Sequence, residues 1–155
     1  MDTKAALNKI KPNLLVDEQL CFAIYSASLA MNKIYRKQLA KLELTYPQYL
    51  VMMVLWENDE QSVSQIGERL FLDSATLTPL LKRMEVAGFI SRARLPEDER
   101  VVIVSLTAAG KKLKTKAEVV WTEVACAAEC TVNEAVALKK QLHNLRDNLN
   151  KNAEE

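Results

Sequence analysis

The feature that most constrains the fold is a series of helix start and stop signals in the middle of the chain. The pattern Ser62-x-x-Gln65 is a capping box and predicts a short helix that ends near Leu70. Asp73 can cap a second helix, and Gly88 is placed to end it. These signals predict two helices joined by a tight turn.

Two strand-like runs follow the second helix. The runs 89–94 and 101–106 flank a polar segment, 95–100, and the second run is rich in β-branched residues. They predict a β-hairpin whose loop is longer than a tight turn. Helix, turn, helix and hairpin in this order are typical of a winged helix-turn-helix, in which the second helix enters the major groove of DNA.

The candidate DNA-reading residues are small or polar at the start of the second helix and basic further along it. They are Ser74, Ala75, Thr76, Thr78, Lys82 and Arg83, with Asp98 and Arg100 in the hairpin loop. We expect Arg100 to reach a minor groove. The net charge of the chain is only +1, so the order of the elements carries this prediction and the charge does not.

Apolar residues recur at helical spacing from Asp17 to about Leu42. They predict a helix of about 26 residues, roughly 39 Å long. Such a helix is long for a chain of 155 residues, and it is apolar over much of its surface. It therefore predicts a dimer.

Three further helices each begin at a capping residue. They are predicted from Thr45 to Trp56, from Thr107 to about Cys130, and from Thr131 to about Asn150. Glycines and prolines are few, 3 and 4 respectively. The expected fold class is a single domain, 1–155, that is mostly α with a small β-hairpin wing.

The sequence gives no membrane or secretion signal. No apolar run approaches the roughly 18 residues of a membrane-spanning helix, and residues 1–13 lack the apolar core of a signal peptide. We expect a cytoplasmic protein with no membrane partner, in which the three cysteines are thiols at rest.

Cys21 lies near the start of the long first helix. At about 100° per residue, Tyr25 and Tyr35 lie within about 40° of it around the helix axis. Tyr35 is also about 21 Å along the axis, so it can meet only the Cys21 of a partner subunit. Tyrosine hydroxyls favour the thiolate, which is the form that attacks peroxides. The alternative is an ordinary buried cysteine.

Two segments carry a resemblance to a known family. Residues 98–110 resemble the wing signature of the MarR family of transcription factors, and residues 72–85 resemble its recognition helix. The resemblance implies a homodimer that binds a pseudo-palindromic operator in double-stranded DNA. It implies dimerisation through 17–44 and 108–152, DNA binding through 45–107, and an Arg100 held in place by Asp98.

One branch of that family, the organic hydroperoxide resistance regulators, is more similar still. The resemblance lies in residues 19–28, Tyr35 and residues 44–50. It implies that Cys21 reacts with organic hydroperoxides and that Tyr35 and Tyr46 hydrogen-bond to it.

The two-cysteine members of that branch use a second thiol, from the partner subunit, to form a disulfide. By resemblance this resolving residue is Cys126, with Cys130 in reserve one turn away on the same helix face. The implied function is a repressor that leaves DNA when Cys21 and Cys126 of two subunits are joined. No cofactor is implied.

Three alternatives stay open at this point. A MarR-type repressor can release DNA on binding a small aromatic ligand, in a pocket lined by Tyr25, Tyr35, Tyr46 and Tyr49. Cys21 can be the nucleophile of a thiol peroxidase, although the chain lacks an alternating βα pattern. The cysteines and His143 can bind zinc, although they lack two close ligand pairs. We expect neither an enzyme nor a metal site.

Overall fold

The computed structural model describes residues 13–153 and confirms a mostly helical fold with a small antiparallel sheet. The elements are α1 (Leu20–Leu39), α2 (Tyr46–Glu57), β1 (Gln61–Ser62), α3 (Val63–Leu70), α4 (Ser74–Val86), β2 (Ile90–Leu95), β3 (Asp98–Leu106), α5 (Ala108–Ala127) and α6 (Val132–Ala153). The start of the chain, 1–12, which was examined above for a signal peptide, lies outside the described residues.

The first helix is shorter than predicted because the pattern from 17 to 42 contains two interruptions. A 3-10 turn at Val16–Glu18 precedes α1, and a second one follows it at Ala40–Leu42. Gln19 between the first turn and α1 is extended, with φ −89° and ψ 125°. Apolar spacing does not report such local changes in the backbone, so the prediction of one continuous helix was wrong at both ends.

The helix-turn-helix follows the local signals closely. Gln65 N–H donates to Ser62 Oγ at 3.1 Å and the Gln65 side chain accepts from Ser62 N–H at 2.8 Å, so the capping box is complete. Thr76 N–H donates to Asp73 Oδ1 at 2.7 Å. Gly88 follows α4 with φ 79°, as expected of a residue that ends a helix.

The hairpin is tighter than predicted. β3 begins at Asp98, where that residue pairs with Leu95, and β2 departs from regular pairing between Arg94 and Leu95. The polar segment 95–100 therefore belongs mostly to the strands, and its prediction as a loop was wrong. β1, which was not predicted, adds a third strand with the order β1-β3-β2 and pairs Gln61 with Val104.

The junction between the last two helices also differs from the prediction. α5 ends at Ala127, and Glu129 takes a left-handed backbone with φ 50°. Cys130 therefore lies beyond the helix, and the prediction that Cys126 and Cys130 share one helix face was wrong. The Thr131 capping box that opens α6 is present.

The core lies in the helix-turn-helix and around it. Its buried apolar residues come from the end of α1, from α2, α3 and α4, from the sheet, and from the middle of α5. None of the described residues of α6 is buried. Large apolar side chains remain exposed on the helices outside this core, among them Leu20, Ile24, Leu29, Met31, Val119, Trp121, Val136, Leu138, Leu142 and Leu149.

No helix within residues 13–153 combines the length and the apolar character needed to cross a bilayer.

Candidate functional site

The recognition helix α4 has one buried face and one open face. The buried face carries Leu77, Leu80, Leu81 and Met84. All six residues predicted to read DNA from this helix are exposed, namely Ser74, Ala75, Thr76, Thr78, Lys82 and Arg83. Packing of the buried face against α2 and α3 therefore presents the predicted residues to solvent as a set.

The wing presents Arg100 beside the aspartate predicted to hold it. Asp98 Oδ1 accepts a hydrogen bond from the Arg100 backbone N–H at 3.0 Å, and both residues are exposed. Arg94, on the paired strand, donates from Nη1 to Glu99 O at 2.6 Å. These bonds brace the tip of the wing, while the Arg100 guanidinium stays free to meet a ligand.

A two-point ion pair joins the recognition helix to the wing. Glu85 Oε2 on α4 accepts from Arg92 Nη2 at 2.6 Å and from Arg92 Nε at 3.0 Å. Glu85 Oε1 also accepts from the Arg92 backbone N–H at 3.2 Å. Hydrogen bonds from the Arg92 side chain lower the pKa of Glu85. This pair was not predicted from the sequence, because two charges seven residues apart across a turn give no periodic signal.

Asp59 anchors the base of the wing. Its Oδ1 accepts from Leu106 N–H at 2.8 Å and from Glu60 N–H at 2.9 Å, and its Oδ2 lies 3.3 Å from Lys111 Nζ. Burial raises the pKa of this carboxyl, but the N–H groups and the ammonium outweigh burial, so the pKa lies below its usual value. This residue too was not singled out from the sequence.

The three cysteines are free thiols and all are exposed. Cys21 lies in the first turn of α1, and Cys126 lies in the last turn of α5. Cys130 lies in the loop that follows, where its Sγ donates to Ala128 O at 3.2 Å.

The tyrosines predicted to serve the thiol form part of an aromatic cluster. The ring of Tyr35 lies 4.4 Å from that of Tyr46 and 5.9 Å from that of Tyr49. Tyr49 lies 6.2 Å from Trp56. Burial raises the pKa of Tyr35 to about 12, and it also raises the pKa of Tyr46. These two hydroxyls therefore stay protonated and can donate hydrogen bonds at neutral pH.

The cluster does not lie at the chain's own Cys21. Tyr35 lies fourteen positions after Cys21 on the same helix, which corresponds to roughly 21 Å along the axis. Tyr25 is on the cysteine's side of the helix but packs near Phe22, at a ring distance of 6.4 Å, and is mostly exposed. The structure thus brings Tyr35 and Tyr46 together and leaves Tyr25 apart from them.

An apolar cavity of about 430 Å³ runs beside α1. Its walls are Leu20, Ala23, Ile24, Ala27, Ser28, Met31, Asn32, Tyr46, Leu138 and Leu142. It begins at the neighbours of Cys21 in the sequence, and Tyr46 of the aromatic cluster also lines it. Tyr49 is nearly fully buried and is not among the walls.

The side chains of residues 13–153 include no group of three or more His, Cys, Asp or Glu placed to hold a metal ion. His143 is exposed on α6.

The first comparisons with known proteins concern transcriptional regulators. The model of the family described as "Transcriptional regulator SarA/Rot" matches residues 33–117. The HTH-type transcriptional regulator TtmR of Methylorubrum extorquens is 50% identical over 138 residues, which cover 89% of this chain and 71% of that protein.

Two further proteins are similar to this chain over most of its length. The organic hydroperoxide resistance transcriptional regulator of Bacillus subtilis is 43% identical over 88% of this chain and 93% of its own length. Reduced AbfR bound to DNA has a TM-score of 0.77 and 32% identity, over 97% of this chain and 98% of the other. AbfR with a disulfide formed has a TM-score of 0.62 and 34% identity, over 90% and 93%. AbfR is a protein of Staphylococcus epidermidis.

Proposed function

Because the chain belongs to the MarR-like family of winged-helix transcriptional regulators, we propose that it is a homodimeric repressor that organic hydroperoxides release from DNA by oxidising Cys21. The observation that carries this proposal is an exposed thiol on a helix whose apolar face is uncovered, next in the sequence to Leu20, which lines an apolar cavity. The B. subtilis relative is named for organic hydroperoxide resistance, and AbfR is known in both a reduced, DNA-bound form and a disulfide form.

The uncovered apolar side chains support a dimer built from the helical half of the chain. Exposed leucines, valines and a tryptophan on α1, α5 and α6 form a surface of the kind that a second copy covers. In this dimer 17–44 and 108–152 hold the subunits together, and 45–107 reads DNA. Two α4 helices related by a two-fold axis then match the half-sites of a pseudo-palindromic operator.

A dimer also supplies a Cys21 thiol, from the second subunit, to which Tyr35 and Tyr46 can donate hydrogen bonds. Where two α1 helices pass in opposite directions, the partner's thiol reaches the cavity that Tyr46 lines. The high pKa of Tyr35 keeps its hydroxyl a donor, and a donor stabilises the Cys21 thiolate. The apolar cavity accepts the organic part of a hydroperoxide, which favours organic hydroperoxides over hydrogen peroxide.

The chemistry then proceeds in two balanced steps. The Cys21 thiolate attacks the outer peroxide oxygen, the O–O bond breaks, and the released alkoxide takes a proton to leave as an alcohol. Cys21 is then a sulfenic acid. A second thiol attacks its sulfur, a disulfide forms, and water leaves. Cellular dithiols reverse this by reducing the disulfide.

Cys126 is the proposed resolving thiol. It lies about 200° around α5 from Val124, which packs against the chain's own core, so Cys126 points away from its own subunit. That orientation suits a bond to the partner's Cys21. Closing the bond would draw α5 of one subunit towards α1 of the other, and the two α4 helices would lose the spacing that fits both half-sites. Cys130, in the loop after α5, remains the reserve.

A non-reducing gel of protein treated with one equivalent of cumene hydroperoxide tests the proposal. Wild type and Cys130→Ser, the matched control, should give a dimer-sized band that a dithiol removes. Cys21→Ser and Cys126→Ser should stay at monomer mass. A wild-type protein that stays monomeric on the gel and keeps an alkylatable Cys21 would exclude the redox switch.

The apolar cavity also favours a second candidate, release of DNA by non-covalent binding of a small aromatic ligand. Of the four tyrosines expected to line such a pocket, Tyr46 is among the cavity walls. Cys21→Ser separates the two candidates, because a non-covalent ligand would still release DNA from this variant and a hydroperoxide would not.

A further inference from the structure

Phe71 ends α3 in a backbone conformation that phenylalanine rarely takes. Its φ is 56° and its ψ is 39°, in the left-handed region where a bulky side chain is strained. The residue is 63% exposed, so packing in the core does not explain an aromatic side chain here. The residue lies in the turn of the helix-turn-helix, three positions before the first residue of α4.

The guanidinium of Arg146 on α6 lies over the ring of Phe71. The guanidinium carbon lies 4.7 Å from the ring centroid, within the range of a cation–π interaction. Asp147 accepts from Arg146 Nη2 at 2.7 Å and from Nε at 2.9 Å, which fixes the orientation of the guanidinium. An exposed and strained aromatic residue thus has one defined charged partner.

This contact lies where α6 meets the DNA-reading half. Leu145 and Arg146 are partly covered, while the other residues of α6 are exposed. One turn earlier, Leu142 lines the cavity beside α1. Helix α6 therefore borders the cavity beside α1. About 6 Å further along its axis, the same helix contacts the turn that precedes α4.

We propose that Arg146 is a positioning residue for DNA reading, because its contact with Phe71 ties the turn before α4 to α6. This deepens the proposed function by naming the contact through which the helical half acts on the recognition helix. The proposal about Arg146 depends on the proposed function in one respect, which is the assignment of α6 to the dimerisation half. Displacing α6 would then shift α4 through the Phe71 ring, without contact between α6 and DNA.

An alternative role for Arg146 is direct contact with a DNA phosphate. The two roles differ in their dependence on salt. Loss of a phosphate contact lowers the slope of log affinity against log salt by about 0.9, whereas loss of a positioning contact leaves the slope unchanged. They also differ in coupling, because only a positioning role makes the effects of changing Arg146 and Phe71 overlap.

The experiment measures DNA affinity of the reduced protein at several salt concentrations. The probe is a short duplex that the wild-type protein selects from a random pool. The variants are Arg146→Met, Phe71→Leu and the double variant, with Lys140→Met as the control for loss of one exposed charge from α6. Each single variant should weaken binding about 2- to 5-fold, the size of one exposed cation–π contact, and the double variant should be no weaker than either. The salt slope should not change, and Lys140→Met should bind like wild type.

The proposal is overturned if Arg146→Met lowers the salt slope and adds fully to Phe71→Leu, or if neither change affects affinity. Phe71→Tyr keeps the ring and should bind like wild type, which covers the case that Phe71→Leu folds poorly.

Amide exchange without DNA gives an independent measurement. The Leu72 N–H donates a hydrogen bond to Gly67 O at 3.0 Å and should exchange faster in Arg146→Met. An unchanged exchange rate would contradict the proposed positioning role of Arg146. Failure of the redox switch would leave both measurements intact, because both use reduced protein.

Discussion

Arg92 on the wing donates hydrogen bonds to Glu85 on the recognition helix from both its side chain and its backbone. The shortest of them joins Arg92 Nη2 to Glu85 Oε2 at 2.6 Å. The pair therefore fixes the angle between the recognition helix and the wing, the two elements proposed to enter neighbouring grooves of DNA. An isolated helix-turn-helix would leave that angle free.

Glu85→Gln should weaken operator binding several-fold without changing its salt dependence. The change removes a charge that faces Arg92 and leaves the DNA-facing side chains of α4 in place. Fluorescence anisotropy at several salt concentrations measures both quantities. Glu68→Gln, at an exposed carboxylate of α3, is the matched control. Equal effects of the two changes would mean that net charge matters and the angle does not.

Arg100→Ala should cost about 1–3 kcal/mol in DNA binding and make the salt slope shallower by about one unit. The reason is that the guanidinium is exposed at the wing and available to a minor groove. Arg69→Ala removes an exposed arginine that pairs with Glu57 instead, and it should have little effect. A wild-type affinity for Arg100→Ala would remove the wing from the DNA interface.

The contribution of Asp59 to stability should depend on pH. Its pKa in the folded protein lies below 3.8, the value for a free side chain, so its stabilising effect is present above that pH and is lost as the pH falls through the folded value. Urea unfolding should show Asp59→Asn to be about 1 kcal/mol less stable than wild type at pH 7. The difference should shrink as the pH is lowered below 3.8. A difference that does not change with pH would mean that the ionised form has no special role.

Tyr46→Phe should slow oxidation of Cys21 by an organic hydroperoxide while leaving DNA affinity of the reduced protein unchanged. Loss of one hydroxyl that donates a hydrogen bond to the thiolate, an interaction worth about 1.5 kcal/mol, would slow the reaction about tenfold near neutral pH. Alkylation of the remaining thiol over time measures the rate. Tyr25→Phe, outside the aromatic cluster, is the control. Equal rates in all three proteins would exclude Tyr46 from the reaction.

Gly110→Ala should destabilise the fold by about 3 kcal/mol or more. A methyl group there would lie 2.1 Å from Phe89 O, a backbone atom that cannot turn aside. Thermal unfolding followed by circular dichroism measures the loss. Ala109→Ser, at the exposed neighbour, should change the melting temperature little. A melting temperature for Gly110→Ala close to that of wild type would contradict the close packing of α5 on the hairpin.

The sequence was most informative where the structure is local. The caps at Ser62, Asp73 and Thr131 bond to residues three positions away, so each capping motif is complete within the sequence that predicts it. Strand β1 forms by pairing with Val104, more than forty residues later in the chain, so the sequence around β1 does not predict this strand.

The same limit applies to the candidate site. The exposed residues of α4 follow from helical periodicity, and they were predicted as a group. Two contacts form only once the sheet has formed, and neither was predicted from the sequence. They are the contact of Glu85 with Arg92 and that of Asp59 with Leu106. Cys130 was misplaced because a left-handed Glu129 ends α5 without a glycine to mark the position.

The absence of buried residues from α6, within the part of the chain described here, has a consequence for how such a regulator diverges. In a two-fold dimer each substitution on α1 or α6 is present in both subunits. The substituted side chain then lies close to the same side chain of the partner, or to one of its neighbours. A single mutation can therefore make a chain incompatible with its unmutated ancestor while both still pair with themselves. After gene duplication, this property would separate two sister regulators quickly, before either has changed the DNA that it reads.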